Sequence, residues 1–343
     1  MRRLLNTLFV LSEDSYLSLD GENVVVMVES IQKGRFPLHT LEAILYFGYK
    51  GASPSLMGAC AQRNIGLTFL TPNGRFLARV CGTSHGNVLL RKQQYRLSDQ
   101  NDTSCLIARN IILGKVYNCR WVLERATRDH PLRVDVDRIK QATMMMHNLL
   151  PVISQCTDLE QLRGYEGEAA KLYFGVINEL VLQNKEHFAF TERTRRPPQD
   201  RINALLSFIY TVLSHDCASA LEGVGLDSYV GFLHRDRPGR SSLALDVLEE
   251  LRGIYADRFC LTLINNRELN EKHFIIRENK SVYLSDDGRK IALTAWQNKK
   301  RDEIRHPFLD EKIPWGLVPH VQALLLARYI RGDLDTYPPF LWK

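Results

Sequence analysis

Two carboxylates open one predicted helix, and their spacing gives them different environments. The stretch LRGYEGEAAKLYFGVINEL carries Glu166 and Glu168 in its first turns. Residues three and four apart share a helix face, so Glu166 lies on an apolar stripe that continues through Tyr173 and Ile177, whereas Glu168 lies on a mostly polar face. A carboxylate near a helix start can simply stabilise its positive end. On a buried stripe it is also a candidate ligand, so we select Glu166 as a site residue and predict that Glu168 is solvated.

A second group of polar residues lies in GLDSYVGFLHRDRPGRSSLALDVLEELR. An apolar run ends at His234, and a helix restarts with Ser241 or Ser242 as its cap. On that helix Asp246 and Glu249 are three residues apart and therefore neighbours, which is unfavourable for like charges unless a cation lies beside them. An ordinary solvated acidic face is the alternative interpretation.

Together, Glu166, His234, Asp246 and Glu249 supply the donors of a divalent-metal site. Carboxylate oxygens suit Mg²⁺ or Mn²⁺, and an imidazole shifts the preference towards Mn²⁺. A metal bound there would polarise a phosphoryl oxygen and stabilise developing negative charge. Sequence spacing does not show that the four side chains meet, so the metal site is a hypothesis that depends on the tertiary structure.

Basic clusters favour a polyanionic partner. The chain has 45 Lys and Arg against 39 Asp and Glu, a formal charge of +6, which is a mild excess. Clusters on separate elements are typical of a nucleic-acid channel, and binding through them weakens steeply with salt. The residues that we predict to bind DNA are Arg193, Arg195, Arg196, Arg201, Arg235, Arg237, Arg240, Lys299, Lys300 and Arg301, with Arg75 and Arg79 as a further candidate cluster.

Other chemistry-bearing patterns are weaker. His215 and Asp216 form the dipeptide of one class of metal-dependent phosphohydrolase, but no further histidines follow at helical spacing. Cys217 falls in an apolar helix, where a thiol is inert. The chain contains neither a P-loop nor a dinucleotide-binding glycine motif, which argues against a nucleotide-driven enzyme.

Bulk composition limits the class of protein. With 343 residues and 45% hydrophobic composition, the chain is large enough for two domains. Its seven cysteines are scattered without a CxxC pair, which predicts reduced thiols and neither disulfides nor a zinc ribbon. No run approaches the roughly 20 apolar residues that span a bilayer. These features predict a cytoplasmic protein with no membrane segment.

The composition of the first 82 residues is typical of a β domain. They are rich in β-branched and aromatic residues, and Asp20-Gly21 predicts a hairpin between two such runs. Asn73-Gly74 predicts a second turn, while LEAILYFG fits either a strand or a helix. A short helix with Ser53 as its cap interrupts an otherwise hairpin-rich arrangement.

After residue 82 the spacing of apolar residues becomes helical, with one small hairpin predicted around Asp287-Gly288. We therefore predict an α+β fold. A small β-rich N-terminal domain, residues 1–82, precedes a large all-α domain, residues 83–343, which contains the candidate metal ligands.

Three long segments resemble a known family. LRGYEGEAAKLYF, RTRRPPQDRINALLSFIYTVL and GLDSYVGFLHRDRPGRSSLALDVLEELR resemble, in this order, the signature segments of the CRISPR adaptation integrases, the first of the numbered Cas proteins. The opening NTLFVLSEDSYLSLDGENVVV and the closing IPWGLVPHVQALLLARYIRGDLDTYPPFLW resemble its subtype I-C members in particular. The resemblance covers essentially the whole chain.

The resemblance implies specific roles for the selected residues. Glu166, His234 and Glu249 match the family's metal ligands, with Mn²⁺ or Mg²⁺ as the cofactor. Asp246 matches a second acidic position of the last motif and is expected to be catalytic, as a ligand or beside one. Some members carry Asp where this chain has Glu249, so the reach of this ligand differs within the family.

The resemblance also implies an activity and partners. Members are metal-dependent DNA endonucleases and integrases, in which the 3′-hydroxyl of a captured prespacer attacks a phosphodiester of the leader-proximal CRISPR repeat, without ATP. They form homodimers through the β-rich domain, and two homodimers join a dimer of a small ferredoxin-fold second Cas protein in a heterohexamer on double-stranded DNA. Two alternatives remain from the residues: a stand-alone structure-selective nuclease acting on branched DNA, and a non-catalytic DNA-binding scaffold.

Overall fold

The structure is a computed structural model and describes residues 6–63, 65–72, 76–80, 82, 88–195 and 197–343. Contacts between Cα atoms divide the chain into two units. The strand-rich unit comprises Met1–His85, Asp286–Glu303 and Pro314–Leu317. The helical unit comprises Gly86–Ser285, Ile304–Ile313 and Val318–Lys343. The predicted fold class, a β-rich N-terminal part followed by a helical part, is confirmed, although the strand-rich unit also includes two segments from beyond residue 82.

The elements have the following bounds. The strands are β1 (Thr7–Val10), β2 (Ser15–Asp20), β3 (Asn23–Val28), β4 (Ile31–Pro37), β5 (Ala43–Phe47), β6 (Gly66–Leu70), β7 (Phe76–Val80), β8 (Phe274–Ile276), β9 (Val282–Leu284), β10 (Glu303–Arg305) and β11 (Lys312–Pro314). The α-helices are α1 (Pro54–Gln62), α2 (Val88–Ser98), α3 (Asn101–Asp129), α4 (Val136–Gln155), α5 (Leu159–Gly175), α6 (Arg201–Gly223), α7 (Ser242–Leu251), α8 (Arg258–Asn265), α9 (Asp286–Lys299) and α10 (Val318–Arg331).

The strand-rich unit contains two sheets. β2, β3 and β4 form an antiparallel sheet, and the predicted hairpin at Asp20-Gly21 is confirmed, since Asp20 pairs with Asn23 and Gly21 has a positive φ of 56°. The second sheet has the order β1-β5-β6-β7, in which β1, β5 and β6 are parallel. β5, whose sequence was ambiguous, is a strand buried at all five positions, as expected of a central strand with both faces covered.

Helix α1 explains why part of this unit is parallel. Ser53 caps it by accepting a hydrogen bond from the Leu56 N–H at 3.2 Å, and Pro54 is its first residue, as predicted. Because α1 crosses over from β5 to β6, these strands run in the same direction. The hairpin-rich prediction therefore applies to β2–β4 and to the antiparallel pair β6–β7, but not to the rest. The predicted turn at Asn73-Gly74 lies outside the described residues.

The hairpin predicted around Asp287-Gly288 is wrong. This segment is helix α9, and the small hairpin of this region lies earlier, between β8 and β9. Asp286 and Asp287 stabilise the N-terminus of α9, and Arg289 pairs with Asp286 at 2.6 Å. The buried residues recur at helical spacing, namely Gly288, Arg289, Ala292, Leu293 and Trp296. The prediction treated the segment as a strand with alternating residues and therefore missed this helical period.

In the helical unit, the long helix α3 packs against α4, α5 and α7. α7 and α8 are joined by a π-helical segment, Arg252–Asp257, so that they form one continuous helix with a local bulge. Such bulges often lie at functional sites because they re-aim side chains. These helices bring together most of the polar residues selected from the sequence.

Helix α6 is the one described helix that is long and apolar enough to cross a bilayer by length and composition. Of its most apolar window, 61% is buried inside the protein. The six cysteines that the structure describes are all buried and form no disulfide.

Candidate active site

Asp246 organises the loop that precedes α7. Its carboxylate is fully buried and accepts hydrogen bonds from the backbone N–H groups of Phe232 (2.6 Å), Leu233 (3.0 Å) and His234 (3.0 Å). The Nδ1 of His234 lies 2.6 Å from Asp246 Oδ1, which fixes the ring so that Nε2 is left for other partners. Gly231 permits this approach, because a Cβ there would lie 2.9 Å from Asp246 Oδ2. Asp246 therefore acts as the support of His234.

The start of α7 differs from the predicted cap. The Ser241 side chain forms no capping hydrogen bond. The carbonyl of Ser228 accepts from the N–H groups of Leu243 and Ala244 instead, at 3.0 and 3.3 Å. The helix start is thus anchored to the segment that leads to His234, which keeps the loop and α7 in register.

Glu249 lies one turn after Asp246 and is surrounded by cations. Its side chain is 4% exposed. Its Oε1 lies 2.8 Å from Arg252 and 3.9 Å from His234 Nε2, and its Oε2 lies 2.7 Å from Lys115 Nζ. The contact with Lys115 is an ion pair without hydrogen-bond alignment, since Oε2 is buried and has no hydrogen-bond partner. Glu249 is therefore buried and ion-paired, and the alternative interpretation, an ordinary solvated acidic face, does not describe it.

Glu166 reaches the same point from α5. Its side chain is 29% exposed, and its Oε1 forms an ion pair with the Lys115 ammonium. Lys115, whose side chain is 6% exposed, thus bridges Glu166 and Glu249. Glu168 is exposed, as the helix-face argument predicted. The structure therefore gathers Glu166, His234 and Glu249 around one buried lysine.

The electrostatics keep Lys115 and Glu249 charged at neutral pH. Burial lowers the pKa of Lys115, but the carboxylates of Glu249 and Glu166 outweigh it and raise the pKa overall. Burial likewise opposes ionisation of Glu249, but Arg252, Lys115 and His234 together hold its pKa well below the usual range. The site consequently contains positive and negative charges in a partly buried environment.

Two further residues belong to the site and were missed by the sequence reasoning. Arg252, at the start of the π-helical segment, stacks on the Tyr210 ring, with 4.8 Å from its guanidinium carbon to the ring centroid. Asp257, at the end of that segment, accepts a hydrogen bond from the Tyr210 hydroxyl at 2.5 Å, and burial raises the pKa of its carboxyl to about 6. Asp257 thereby supports the residue on which Arg252 stacks.

Lys115 was also missed, although its signal was present. It follows Ile111 and Ile112 and precedes Val116 and Cys119 on α3, and all four are buried. A cation on an apolar helical stripe is the counterpart of the anomaly that identified Glu166. Lys115 and Glu166, each unexpected on an apolar helix face, form an ion pair with each other.

The donors fit a divalent ion by chemistry, with one complication. Two carboxylates and an imidazole whose Nδ1 is fixed suit Mg²⁺ or Mn²⁺, and Glu249 Oε2 is a buried oxygen without a hydrogen bond. However, in the described part of the chain no three His, Cys, Asp or Glu side chains are arranged as a metal site. The Lys115 ammonium lies between the two carboxylates, so it competes for the position that a metal would need.

The predicted DNA-binding residues fall into different classes. The prediction is wrong for Lys300, which is 2% exposed and donates to the Thr7 hydroxyl at 3.2 Å within the strand-rich unit. Arg193 is partly exposed and donates to the Thr194 carbonyl, Asn203 and Ser207, and its DNA-binding role stays a prediction.

The remaining basic residues are more accessible. Arg195, Arg237 and Arg301 are exposed. Arg235 is exposed and pairs with Glu160, and Lys299 pairs with Asp302 at 3.0 Å. Arg201 donates to the His187 carbonyl at 3.0 Å, and Arg240 and Arg79 are partly exposed. Arg196 and Arg75 lie outside the described residues.

The competing patterns gain no support. Cys217 is completely buried, and burial raises the pKa of its thiol well above the ordinary value, as expected of an inert core cysteine. Its neighbours His215 and Asp216 join no metal-binding group among the described residues.

Sequence comparison places the chain among known proteins. The family model described as "CRISPR associated protein Cas1" matches residues 8–298. The CRISPR-associated endonuclease Cas1 1 of Chlorobaculum tepidum is 49% identical over 343 residues, covering all of both chains. The CRISPR-associated endonuclease Cas1 2 of Rhodospirillum rubrum is 51% identical over 347 residues, again covering all of both chains.

Structural comparison agrees on the fold. A Cas1 protein from Thermotoga maritima superposes with a TM-score of 0.81 at 22% identity, over 97% of this chain and 99% of that one. A casposase bound to an integration product gives a TM-score of 0.83 at 22% identity, over 98% and 94% of the two chains. With the family match and two full-length relatives at about half identity, the chain is an enzyme of the CRISPR-associated Cas1 endonuclease family.

Proposed function

We propose that this protein is a CRISPR spacer-acquisition integrase, a metal-dependent DNA endonuclease and transesterase. The observation that carries the proposal is the convergence of Glu166, Glu249 and His234 around Lys115 and Arg252 in one group. Fixed charges of both signs are what phosphoryl transfer requires, because its catalysis is mostly positioning and electrostatic stabilisation. The full-length relatives named as CRISPR-associated endonucleases support the same chemistry.

In the proposed reaction, the 3′-oxygen of a prespacer strand forms a bond to a repeat phosphorus and loses its proton. The bond from that phosphorus to the 3′-oxygen of the repeat strand breaks, and this oxygen takes up a proton. The number of phosphodiester bonds is unchanged, so no ATP is consumed. Hydrolysis follows the same course with water as the nucleophile, which accounts for an endonuclease activity.

The side chains have distinct parts in this proposal. Glu166, Glu249 and the Nε2 of His234 would hold Mn²⁺ or Mg²⁺, which when bound stabilises the charge that develops on the attacked phosphate. Asp246 keeps the His234 ring oriented. Arg252, held on Tyr210, can neutralise non-bridging phosphate oxygens through its planar donors.

The wider assembly is part of the same proposal. The β-rich domain, residues 1–82, would form a homodimer, and the domain from residue 83 onwards would carry catalysis and DNA binding. A small ferredoxin-fold second Cas protein would join two such dimers in a heterohexamer on prespacer and repeat DNA. As part of this proposal, we also assign the chain to subtype I-C and to the prokaryotic cytoplasm. The exposed arginines Arg195, Arg237 and Arg301 are the best placed of the predicted DNA contacts.

A strand-transfer assay tests the proposal. With Mn²⁺, a labelled prespacer and a repeat-containing plasmid, Glu166→Gln and His234→Ala should each lower strand transfer by at least a hundredfold, because each removes a donor from the site. Binding of the prespacer should remain within about threefold. Glu168→Gln is the matched control, two residues along the same helix on its exposed face, and should retain wild-type rates.

The same assay separates the alternatives. A stand-alone nuclease, which the endonuclease names of the relatives also allow, would cleave branched DNA but produce no joined product with or without the second Cas protein. A scaffold would bind DNA equally well after chelation and show no metal-dependent activity. Near wild-type joining by Glu166→Gln would show that the site is assigned wrongly.

A further inference from the structure

We infer that Lys115 is a built-in cation of the candidate metal site, holding Glu166 and Glu249 together and competing with a divalent ion for them. In this role it is a positioning residue, whose ammonium must leave at least one carboxylate before that carboxylate can bind a metal. The inference rests on the metal role proposed above.

Lys115 lies in a buried position, where its positive charge needs ion-pair partners. It projects from the middle of α3 and its side chain is 6% exposed. Three of its neighbours along the helix face, Ile111, Ile112 and Cys119, are buried and apolar. A buried ammonium is stable only when it is paired, and the two carboxylates are its ion-pair partners. The positive charge is therefore a constant part of the site.

The two carboxylates depend on Lys115 to different degrees. Glu249 has a second cation, Arg252, at 2.8 Å. For Glu166, Lys115 is the one ion-pair partner among the residues that the structure describes. Two carboxylates that share a site repel each other. Lys115 forms an ion pair with each of them and so offsets this repulsion.

The same contacts make Lys115 a competitor. Its ammonium lies at ion-pair distance from one oxygen of each carboxylate, and these are the two carboxylates that would hold a divalent ion. Positive charges in such close contact repel strongly at the low effective dielectric of a protein interior. The wild-type affinity for a divalent ion should consequently be lower than the donor set alone would give.

Metal binding by the full-length protein without DNA tests this inference. Mn²⁺ is titrated into wild type and into Lys115→Met, which keeps a similar volume without the charge, and free Mn²⁺ is followed by electron paramagnetic resonance. We expect Lys115→Met to bind Mn²⁺ at least tenfold more tightly and to show a larger Mn²⁺-dependent rise in melting temperature. A purely structural role would give weaker binding, because a distorted site loses affinity.

Three further variants complete the design. Lys115→Gln, whose amide can donate to both carboxylates, should fold if the methionine variant does not, and should also bind Mn²⁺ more tightly. Lys115→Arg keeps the charge and should resemble wild type. Lys140→Met removes a surface ammonium that pairs with Glu124 and should leave the Mn²⁺ affinity unchanged.

The outcomes distinguish this inference from the proposed function. If wild type and every Lys115 variant fail to bind Mn²⁺, the metal role proposed for Glu166, His234 and Glu249 is wrong. If wild type binds Mn²⁺, and folded Lys115→Met or Lys115→Gln binds it no more tightly, only the competing role of Lys115 is wrong.

Discussion

At the scale of single residues, the site separates into groups that can meet a substrate and groups that hold them. Asp246 belongs to the second class, because three backbone N–H groups and the His234 ring use its lone pairs. Glu249, three residues later on the same helix, ends instead among Lys115, Arg252 and His234. One turn of α7 therefore carries both Asp246, which supports His234, and Glu249, which is a candidate metal ligand.

Asp246→Asn tests this division. The amide is nearly isosteric, but it places an NH₂ group where at least one donor now points and weakens the hold on His234. We expect strand transfer to fall by about 10- to 100-fold, as is typical when the support of a ligand is lost. The free energy of unfolding should fall by about 1–3 kcal/mol, since buried donors lose their acceptor.

The readouts for Asp246→Asn are strand-transfer rates and urea denaturation, with Glu168→Gln as the control. If Asp246 were a direct ligand and no more, Mn²⁺ binding would be lost while stability stayed unchanged. That combination would contradict the supporting role.

At the scale of elements, α7 is held from its other side by the C-terminal segment. Glu250 follows Glu249 and is completely buried. It accepts hydrogen bonds from the Tyr337 hydroxyl (2.5 Å), the Gln322 amide (3.0 Å) and the Phe340 N–H (2.8 Å). Neighbouring carboxylates of one helix thus serve opposite purposes, one facing the candidate site and the other fastening the helix to α10 and the residues after it.

Glu250 makes stability depend on pH. Burial raises the pKa of its carboxyl to about 8, although hydrogen bonds from Tyr337, Phe340 and Gln322 oppose this. The folded state therefore binds a proton that the unfolded state has released between about pH 4.5 and 8, and its stability falls as the pH rises through this window. The slope from one such proton is at most about 1.4 kcal/mol per pH unit.

Glu250→Gln should remove this contribution, because an amide mimics the protonated acid without titrating. Urea denaturation at pH 5, 6, 7 and 8 should show a flatter profile than wild type, and the variant should gain relative stability towards pH 8. Glu168→Gln, an exposed acid on α5, should run parallel to wild type. A Glu250→Gln profile that also runs parallel would mean that Glu250 is ionised in the folded state.

At the scale of the whole molecule, exposure separates the residues that were predicted from basic clusters to bind DNA. Arg237 lies in the loop after His234 and is exposed, whereas Lys300 is buried against Thr7. The two were indistinguishable as members of basic clusters. Only one of them can reach a phosphate.

Paired substitutions test this distinction. Arg237→Gln should weaken duplex DNA binding and reduce the slope of log K against log salt by about one, since one phosphate contact is lost. Lys300→Met should leave both the affinity and the slope unchanged while altering thermal stability. Fluorescence anisotropy between 50 and 200 mM salt measures both, and equal losses in the two variants would contradict the assignment.

Much of this protein followed from local patterns. Turn chemistry at Asp20-Gly21, the Ser53 cap and the helical spacing after residue 82 were sufficient to give the α+β class. The facing of Glu166 and Glu168 followed from helix periodicity, because that period is a property of the backbone alone. The motif resemblance named the family that the comparisons establish.

Tertiary structure decided the rest, because it depends on contacts between residues far apart in the chain. Lys115 and Glu166, for example, are 51 residues apart. No local pattern reports such pairs, nor does it report that Lys300 is buried or that residues 286–299 form a helix of the strand-rich unit. The sequence by itself determined that Glu166 was out of place on its helix, whereas Lys115 was missed. The packing of α3, α5 and α7 decided that these two residues are each other's counter-charges.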